Sequence, residues 1–331
     1  MSRQGYSMFL VWIAVGVALA VGFVAAPAEA AHCALRHPAR QIYEIFPEAT
    51  NFRTVTGVVD PETVQEIETV SGLELRYSDR GKSTMCVVLG TDAIPVGFVQ
   101  ARSEIGRNGS IEIAWGLDLD LCVNRVLVQR SREPDSDLLL QAEFHGMVFG
   151  QSWRGLQDAA ERFESSTSAH SRIIGTALDS GVMASLVVSS AFRDEVVEAR
   201  MEGHARRVFP TGVITDVVPA SALSQVLLEG LEPTQTWLGR IVDREGLPLG
   251  RVAISKFMRS EEWLDLVIVT SADGVIRHTS SSTKQNLSAA SKLRALVGLS
   301  RDELPSGPTA RFLQHSAREL MQLCFATANA R

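Results

Sequence analysis

The stretch Ile174–Arg193, IGTALDSGVMASLVVSSAFR, sets the reading of the whole chain. Ser180-Gly181 within it predicts a tight turn that opens a helix, since glycine permits the turn and the N–H groups after it would lack partners inside their own helix. Such an opening serves either as an ordinary N-terminal cap or as a cradle whose N–H groups hold a phosphate. The stretch gains weight from what precedes it and because the chain repeats its surroundings.

Working back from it, helical patterns cover Leu156–Phe163 and Leu186–Glu198. Before them come short apolar or alternating runs at Cys86–Leu89, Val96–Gln100, Ser110–Leu117 and Arg125–Val128, separated by turn residues such as Gly90-Thr91-Asp92 and Arg107-Asn108-Gly109. These predict an antiparallel meander. Two helices precede it, at Ala39–Ile45 and from Asp60-Pro61-Glu62 to about Val70. In the second, Asp60 caps, Pro61 takes the first helical position, and Val64, Ile67 and Val70 form one apolar stripe.

Working forward, a second unit follows Glu202-Gly203-His204. Pro95-Val96-Gly97-Phe98-Val99 is matched by Pro248-Leu249-Gly250-Arg251-Val252, an offset of 153 residues from Pro95 to Pro248. The same offset pairs Val88-Leu89 with Ile241-Val242, Ile111-Glu112-Ile113 with Leu264-Asp265-Leu266, Asp120 with Asp273 and Val123 with Ile276. Further on, the run from Leu293 to Gly298 matches that from Phe144 to Gly150, and Ser306-Gly307-Pro308-Thr309 stands where Ser180-Gly181-Val182-Met183 stood. The expected fold class is therefore α+β, as two tandem domains over 38–202 and 207–331, each an antiparallel meander with helices packed on one face.

Residues 1–31 predict export. Met8 to Ala26 is an uncharged apolar run after Arg3 and before Ala28-Glu29-Ala30, which fits a cleaved signal peptide or an N-terminal membrane anchor. Either reading puts the remainder in the cell envelope, on the periplasmic or extracytoplasmic side. His32 argues against lipid attachment at Cys33, because such cleavage sites need a small residue there.

With 331 residues, 45% hydrophobic and 21% charged, the chain can bury two cores. A net charge of −6 without a basic run argues against nucleic acid as a partner. Cys33, Cys86, Cys122 and Cys324 show no C-x-x-C spacing, and Cys86 and Cys122 read as buried thiols, although export would permit a disulfide. The histidines stand singly in sequence, which predicts core or solvated side chains rather than metal ligands. Serine-hydrolase and P-loop motifs are absent. Trp115, Trp153, Trp237 and Trp263 read as core or interface packing.

The ordered set Ile45-Phe46-Pro47-Glu48-Ala49, Pro95-Val96-Gly97, Arg132-Glu133-Pro134, Phe144, Phe149-Gly150 and Ser180-Gly181 resembles the FMN-binding domain family of bacterial envelope electron-transfer proteins. That family includes the flavin-carrying subunits of sodium-pumping and Rnf-type complexes, and the likeness is to a simpler exported branch. The resemblance implies FMN as cofactor, electron transfer with a membrane or periplasmic redox partner, and a motif Ser/Thr-Gly-Ala-Thr with an acidic residue three positions earlier. In many members the last Thr carries FMN through a phosphoester. Here Ala177 and Met183 occupy the acidic and ester positions of the first unit, leaving non-covalent FMN through Ser180, Gly181 and Ser185, with Met183 as an apolar floor. The second unit keeps Glu303, Ser306, Gly307 and Thr309, so Thr309 is the candidate for covalent flavin, with a flavin transferase as the implied modifying partner. The protein would place the ring while the cofactor does the redox chemistry. An alternative is a cofactor-free scaffold or binding module that keeps the fold and has lost the flavin. Arg132-Glu133 reads as structural in either case.

Overall fold

A computed structural model describes residues 36–164, 168–219, 235–259, 262–281, 294–300, 303, 304 and 321. The expected leader and the segment Ser306-Gly307-Pro308-Thr309 lie outside the described residues. The fold is α+β. The first half contains α1 (Ala39–Ile45), β1 (Asn51–Val59), α2 (Pro61–Ser71), β2 (Gly81–Leu89), β3 (Pro95–Ile105), β4 (Ser110–Asp118), β5 (Val123–Ser131), α3 (Ala142–Val148), α4 (Trp153–Glu164) and α5 (Ala169–Ala191). The second contains α6 (Arg193–Val208), β6 (Val213–Pro219), β7 (Gln235–Val242), β8 (Pro248–Arg259), β9 (Glu262–Ser271) and β10 (Ile276–Ser281). Two five-stranded sheets result, β1-β2-β3-β4-β5 and β10-β9-β8-β7-β6, antiparallel throughout with sequence neighbours paired.

The first sheet is covered on both faces, which corrects the one-face expectation. α1 lays Ile42, Ile45 and Phe46 on Cys86, Val88, Val99 and Ala114. α5, with α2 beside it and α4 packed along it, covers the opposite face, where Val87, Phe98, Ile113, Trp115 and Leu117 point. The reason is local: Val87 and Val88, like Phe98 and Val99, are fully buried although neighbours on a strand point to opposite faces, so the sheet is apolar on both. Each such side chain contributes about 1.5–3 kcal/mol by leaving water. Cys86 and Cys122 are buried thiols, not joined in a disulfide.

Asp60 caps α2 as its sequence predicts, accepting the Thr63 N–H at 2.8 Å, with Pro61 at the first helical position and Gly72 closing the helix at φ +69°. β1 was not expected. It is an edge strand whose Arg53, Thr54 and Thr56 leave little apolar alternation to recognise. The pattern Leu186–Glu198 also divides, since α5 ends at Ala191, α6 begins at Arg193, and Phe192 between them turns into the core. Glu202-Gly203-His204, expected to separate the halves, lies inside α6.

The two sheets share their irregularities. Val88 faces Gly97 and Leu89 faces Pro95 across a register slip; Ile241 faces Gly250 and Val242 faces Pro248 across the same slip. The β4–β5 turn closes through Asp118 N–H to Cys122 O at 2.8 Å, and the β9–β10 turn through Ser271 N–H to Val275 O at 2.9 Å. At the end of α3, Gly150 (φ +74°) donates to Val123 O at 2.7 Å; Gly298 (φ +96°) donates to Ile276 O at 2.8 Å.

One correspondence was missed in the sequence: Phe46-Pro47 after α1 is matched by Phe209-Pro210 after α6. Phe46 has φ/ψ of −123°/86° and Phe209 −122°/84°, and each donates its N–H at 2.8 Å, to Ile42 O and Ala205 O respectively. Each ring lies under a strand glycine. A Cβ on Gly97 would come 2.5 Å from Phe46 and 2.4 Å from Leu117 O; on Gly250 it would come 3.1 Å from Phe209 and 2.0 Å from Thr270 O. α6 thus stands to the second sheet as α1 stands to the first.

Candidate functional site

The expected cradle at Ser180-Gly181 is not a turn. α5 starts twelve residues earlier, where the Ser168 side chain accepts the Ser171 N–H at 3.0 Å, and Ser180, Gly181, Met183 and Ser185 are buried in its interior. Their N–H groups belong to the helix ladder and are not free for an anion. Ser180 Oγ accepts from Trp115 Nε1 at 3.2 Å. A Cβ on Gly181 would sit 2.7 Å from the Trp115 ring and 2.8 Å from Leu156. The Ser-Gly pair seats a helix on an indole, and burial on both sides overrides its cap propensity. α5 is long and apolar enough to cross a membrane by length and composition, but 67% of its apolar window is buried inside the protein.

In the second half Glu303 is also occupied. Its carboxylate accepts both the Ser300 backbone N–H and the Ser300 hydroxyl at 2.7 Å, while the Glu303 N–H donates to Ser300 O at 3.2 Å, so only the glutamate half of a capping box is made. The backbone bond, then the hydroxyl, hold its carboxyl below the ordinary range. Ser306, Gly307 and Thr309 lie outside the described residues. Glu133 takes up the structural role expected of it: it accepts from the Asn108 N–H and from Asn108 Nδ2 (2.9 Å), pinning the β3–β4 turn, rather than pairing with Arg132.

What the chain does bring together is a buried polar junction around α6. Val197, Met201 and Ala205 point into the second core. Gly203 packs on the first half, and Arg200 and His204 each reach partners in both halves. Arg200 Nε donates to Leu119 O at 2.6 Å, and its Nη1 to Asp265 Oδ2 at 2.7 Å. Burial alone would push the guanidinium down, but Asp265, then Asp120 and Asp118, outweigh it and hold it above its ordinary value, so it stays charged. His204 Nε2 lies 3.2 Å from Asp120 Oδ1, and its Nδ1 lies 3.1 Å from His278 Nε2, with the rings stacked 5.2 Å apart. Ser280 Oγ donates to Asp120 Oδ2 at 2.6 Å. Asp118 shapes the turn beneath by accepting the N–H groups of Asp120 (2.8 Å) and Cys122 (3.1 Å).

Chemically the junction is a fastening. Ser280 bonds the Asp120 carboxylate and not an imidazole, so at this junction the hydroxyl is not placed as a nucleophile against a histidine base. Among the described residues no group of three or more His, Cys, Asp or Glu side chains is placed to hold a metal. The adjacent cleft, lined by Leu121, Arg193, Val196, Arg200, Trp237 and Ile254, holds roughly 10 Å³, the room of one water. A second buried cluster, Arg102 with Asp79 (2.6 Å) and Glu104 (3.3 Å), also joined by Arg76, balances two cations with two carboxylates under the first sheet.

Sequence reasoning missed the meeting of His204 with His278. The two are 74 residues apart and occupy unmatched positions of the halves, so no spacing signals them. Asp120 was noticed only as the counterpart of Asp273. Comparison with protein-family models, curated proteins and solved structures finds no match for this chain.

Proposed function

We infer that the protein is an exported, cofactor-free binding module of the cell envelope, built from two tandem domains that are copies of one unit. The copies meet at Phe192, so that α6 opens the second as α1 opens the first. The shared register slips, turn closures and Phe-Pro helix ends support the duplication. Export rests on the apolar run from Met8 to Ala26.

The observation that carries the cofactor-free reading is the Ser180-Gly181 pair, which spends its hydroxyl and its missing side chain on Trp115. Glu303, the acidic element of the second motif, is bonded to Ser300, which favours a local structural role for it, and covalent flavin would rest on Thr309. Intact mass and visible absorbance of the protein purified from its envelope fraction test this. The expected mass is that of the chain with or without its leader, colourless, and added FMN keeps its full fluorescence. A mass increment of one FMN that disappears in Thr309→Ala, or stoichiometric quenching of added FMN, would restore the flavin carrier with its redox partner and transferase.

A further inference from the structure

We propose that His204 and His278 form an acid-sensitive latch: one hydrogen bond between their rings holds β10 on α6 and on the β4–β5 turn, and a second added proton releases it. The inference stands on the geometry of the junction and is independent of the cofactor-free reading.

β10 is an edge strand of six residues, and its register turns His278 onto the junction. Ile276 faces Thr270 and His278 faces Val269, with a slip between them. Without the slip His278 would share the face of Ile276; with it, His278 takes the face of Val269, which belongs to the core under α6. Ser280, two residues on, follows to that face and donates to Asp120 Oδ2 at 2.6 Å.

His204 is fully buried, with Nε2 at 3.2 Å from Asp120 Oδ1 and Nδ1 at 3.1 Å from His278 Nε2. The latter distance is that of a single N–H···N bond, so one hydrogen lies on that line. With both rings neutral, His204 holds its proton on Nε2, toward the carboxylate, and Nδ1 accepts from His278 Nε2. One added proton is accommodated: His204 then carries both N–H groups, and His278 keeps its proton on Nδ1. A second puts a hydrogen on each facing nitrogen and a charge on each of two rings 5.2 Å apart. No tautomer relieves that, so the rings must part.

Among the described residues, the charges around the pair suit one imidazolium and not two. Asp118 and Asp120 come from the β4–β5 turn, Arg200 from one turn earlier on α6, and Asp265 from β9. Asp265 is bonded to Arg200 at 2.7 Å, and Asp118 accepts turn N–H groups. Arg206 and Glu202 pair with each other farther along α6. His278 is half-buried and gives protons a way in. Parted, the rings bind one proton more than they do latched, and they titrate as a unit. By linkage the latch is at full strength above the ordinary imidazole value of about 6.5, and below it weakens by up to roughly tenfold per pH unit.

Urea unfolding of the full chain in mild detergent, near pH 7.5 and about pH 5.5, tests the proposal with His278→Gln, His204→Gln and the double variant; glutamine keeps an N–H donor and does not titrate in this range. The parent is expected to lose roughly tenfold more in its unfolding constant on acidification than His278→Gln does. His204→Gln should remove the same loss, and the double variant no more, because the conflict needs both rings. His145, whose value burial and then Arg125 push down, adds an acid loss that parent and variants share. Equal acid losses in parent and His278→Gln, or losses from the two single variants that add, overturn the latch. Imidazole nitrogen NMR of the parent reads the same point without a variant, should His204→Gln fail to fold. Near neutral pH one of the two facing nitrogens carries hydrogen and the other is bare; both protonated, or a second added proton bound with the N–H···N bond intact, overturns the proposal. None of these outcomes touches the cofactor-free reading, whose readouts are flavin mass and fluorescence.

Discussion

Gly181 has no side chain, and its neighbours leave no room for one. By helix propensity alone, Gly181→Ala in the middle of α5 would gain about 1 kcal/mol. Packing opposes it, because the added carbon would lie 2.7 Å from the Trp115 ring and 2.8 Å from Leu156, and overpacking of this kind costs roughly 1–3 kcal/mol. The second effect wins, since Trp115 is fully buried and tied to Ser180, and cannot step aside. Gly181→Ala is therefore expected to lower the urea midpoint with an unchanged m-value. A raised midpoint would show that the glycine is kept for something other than this contact. The sequence was misleading here for a physical reason: a Ser-Gly pair reads as punctuation until the residue opposite is known, and Trp115 is 65 positions away.

Elements whose boundaries rest on local chemistry were legible, and those set by distant packing were not. α2 could be read from Asp60, Pro61 and three apolar positions because its cap lies within three residues of the groups it satisfies. The meander could be read from alternation, and its repetition from Pro95-Val96-Gly97. The start of α5 could not, because Ser168 resembles any loop serine until the 23-residue helix it opens is pressed against a sheet. The Asp60 cap also carries a pH dependence. Its carboxyl is lowered from the ordinary value of 3.8, first by the Thr63 backbone N–H and next by the Thr63 side chain. The folded chain then binds fewer protons there than the unfolded one, so this contribution is complete above the ordinary value and is lost as the pH falls through the lowered one. Asp60→Asn keeps a capping oxygen without a titrating group. It should match the parent at neutral pH and lose less stability near pH 3, as read by urea midpoints at the two values; a parallel acid loss would remove Asp60 from the account.

At the scale of the molecule, α6 has two duties, one on each side. Its Val197, Met201 and Ala205 belong to the second core, and its Arg200, Gly203 and His204 fasten the first half. The polar contacts are buried, so removing one partner strands the other: a lone buried Asp265 costs roughly 3–5 kcal/mol. Gly203 offers a cleaner probe, since a substitution there removes no charged side chain. Leu119 could rotate away from a new side chain, but the Pro95 carbonyl at 2.8 Å is backbone and cannot. Gly203→Leu keeps a good helix former in α6, leaves the apolar residues of the second core in place, and wedges α6 off the first half. With the fastening intact, both halves should unfold as one cooperative unit, the calorimetric enthalpy equalling the van't Hoff value. In Gly203→Leu the transition is expected to separate into two, each with its own midpoint. If the variant still melts in a single step with equal enthalpies, α6 couples the halves through some contact other than this one, and the close packing of Gly203 on Leu119 and Pro95 is not what joins them.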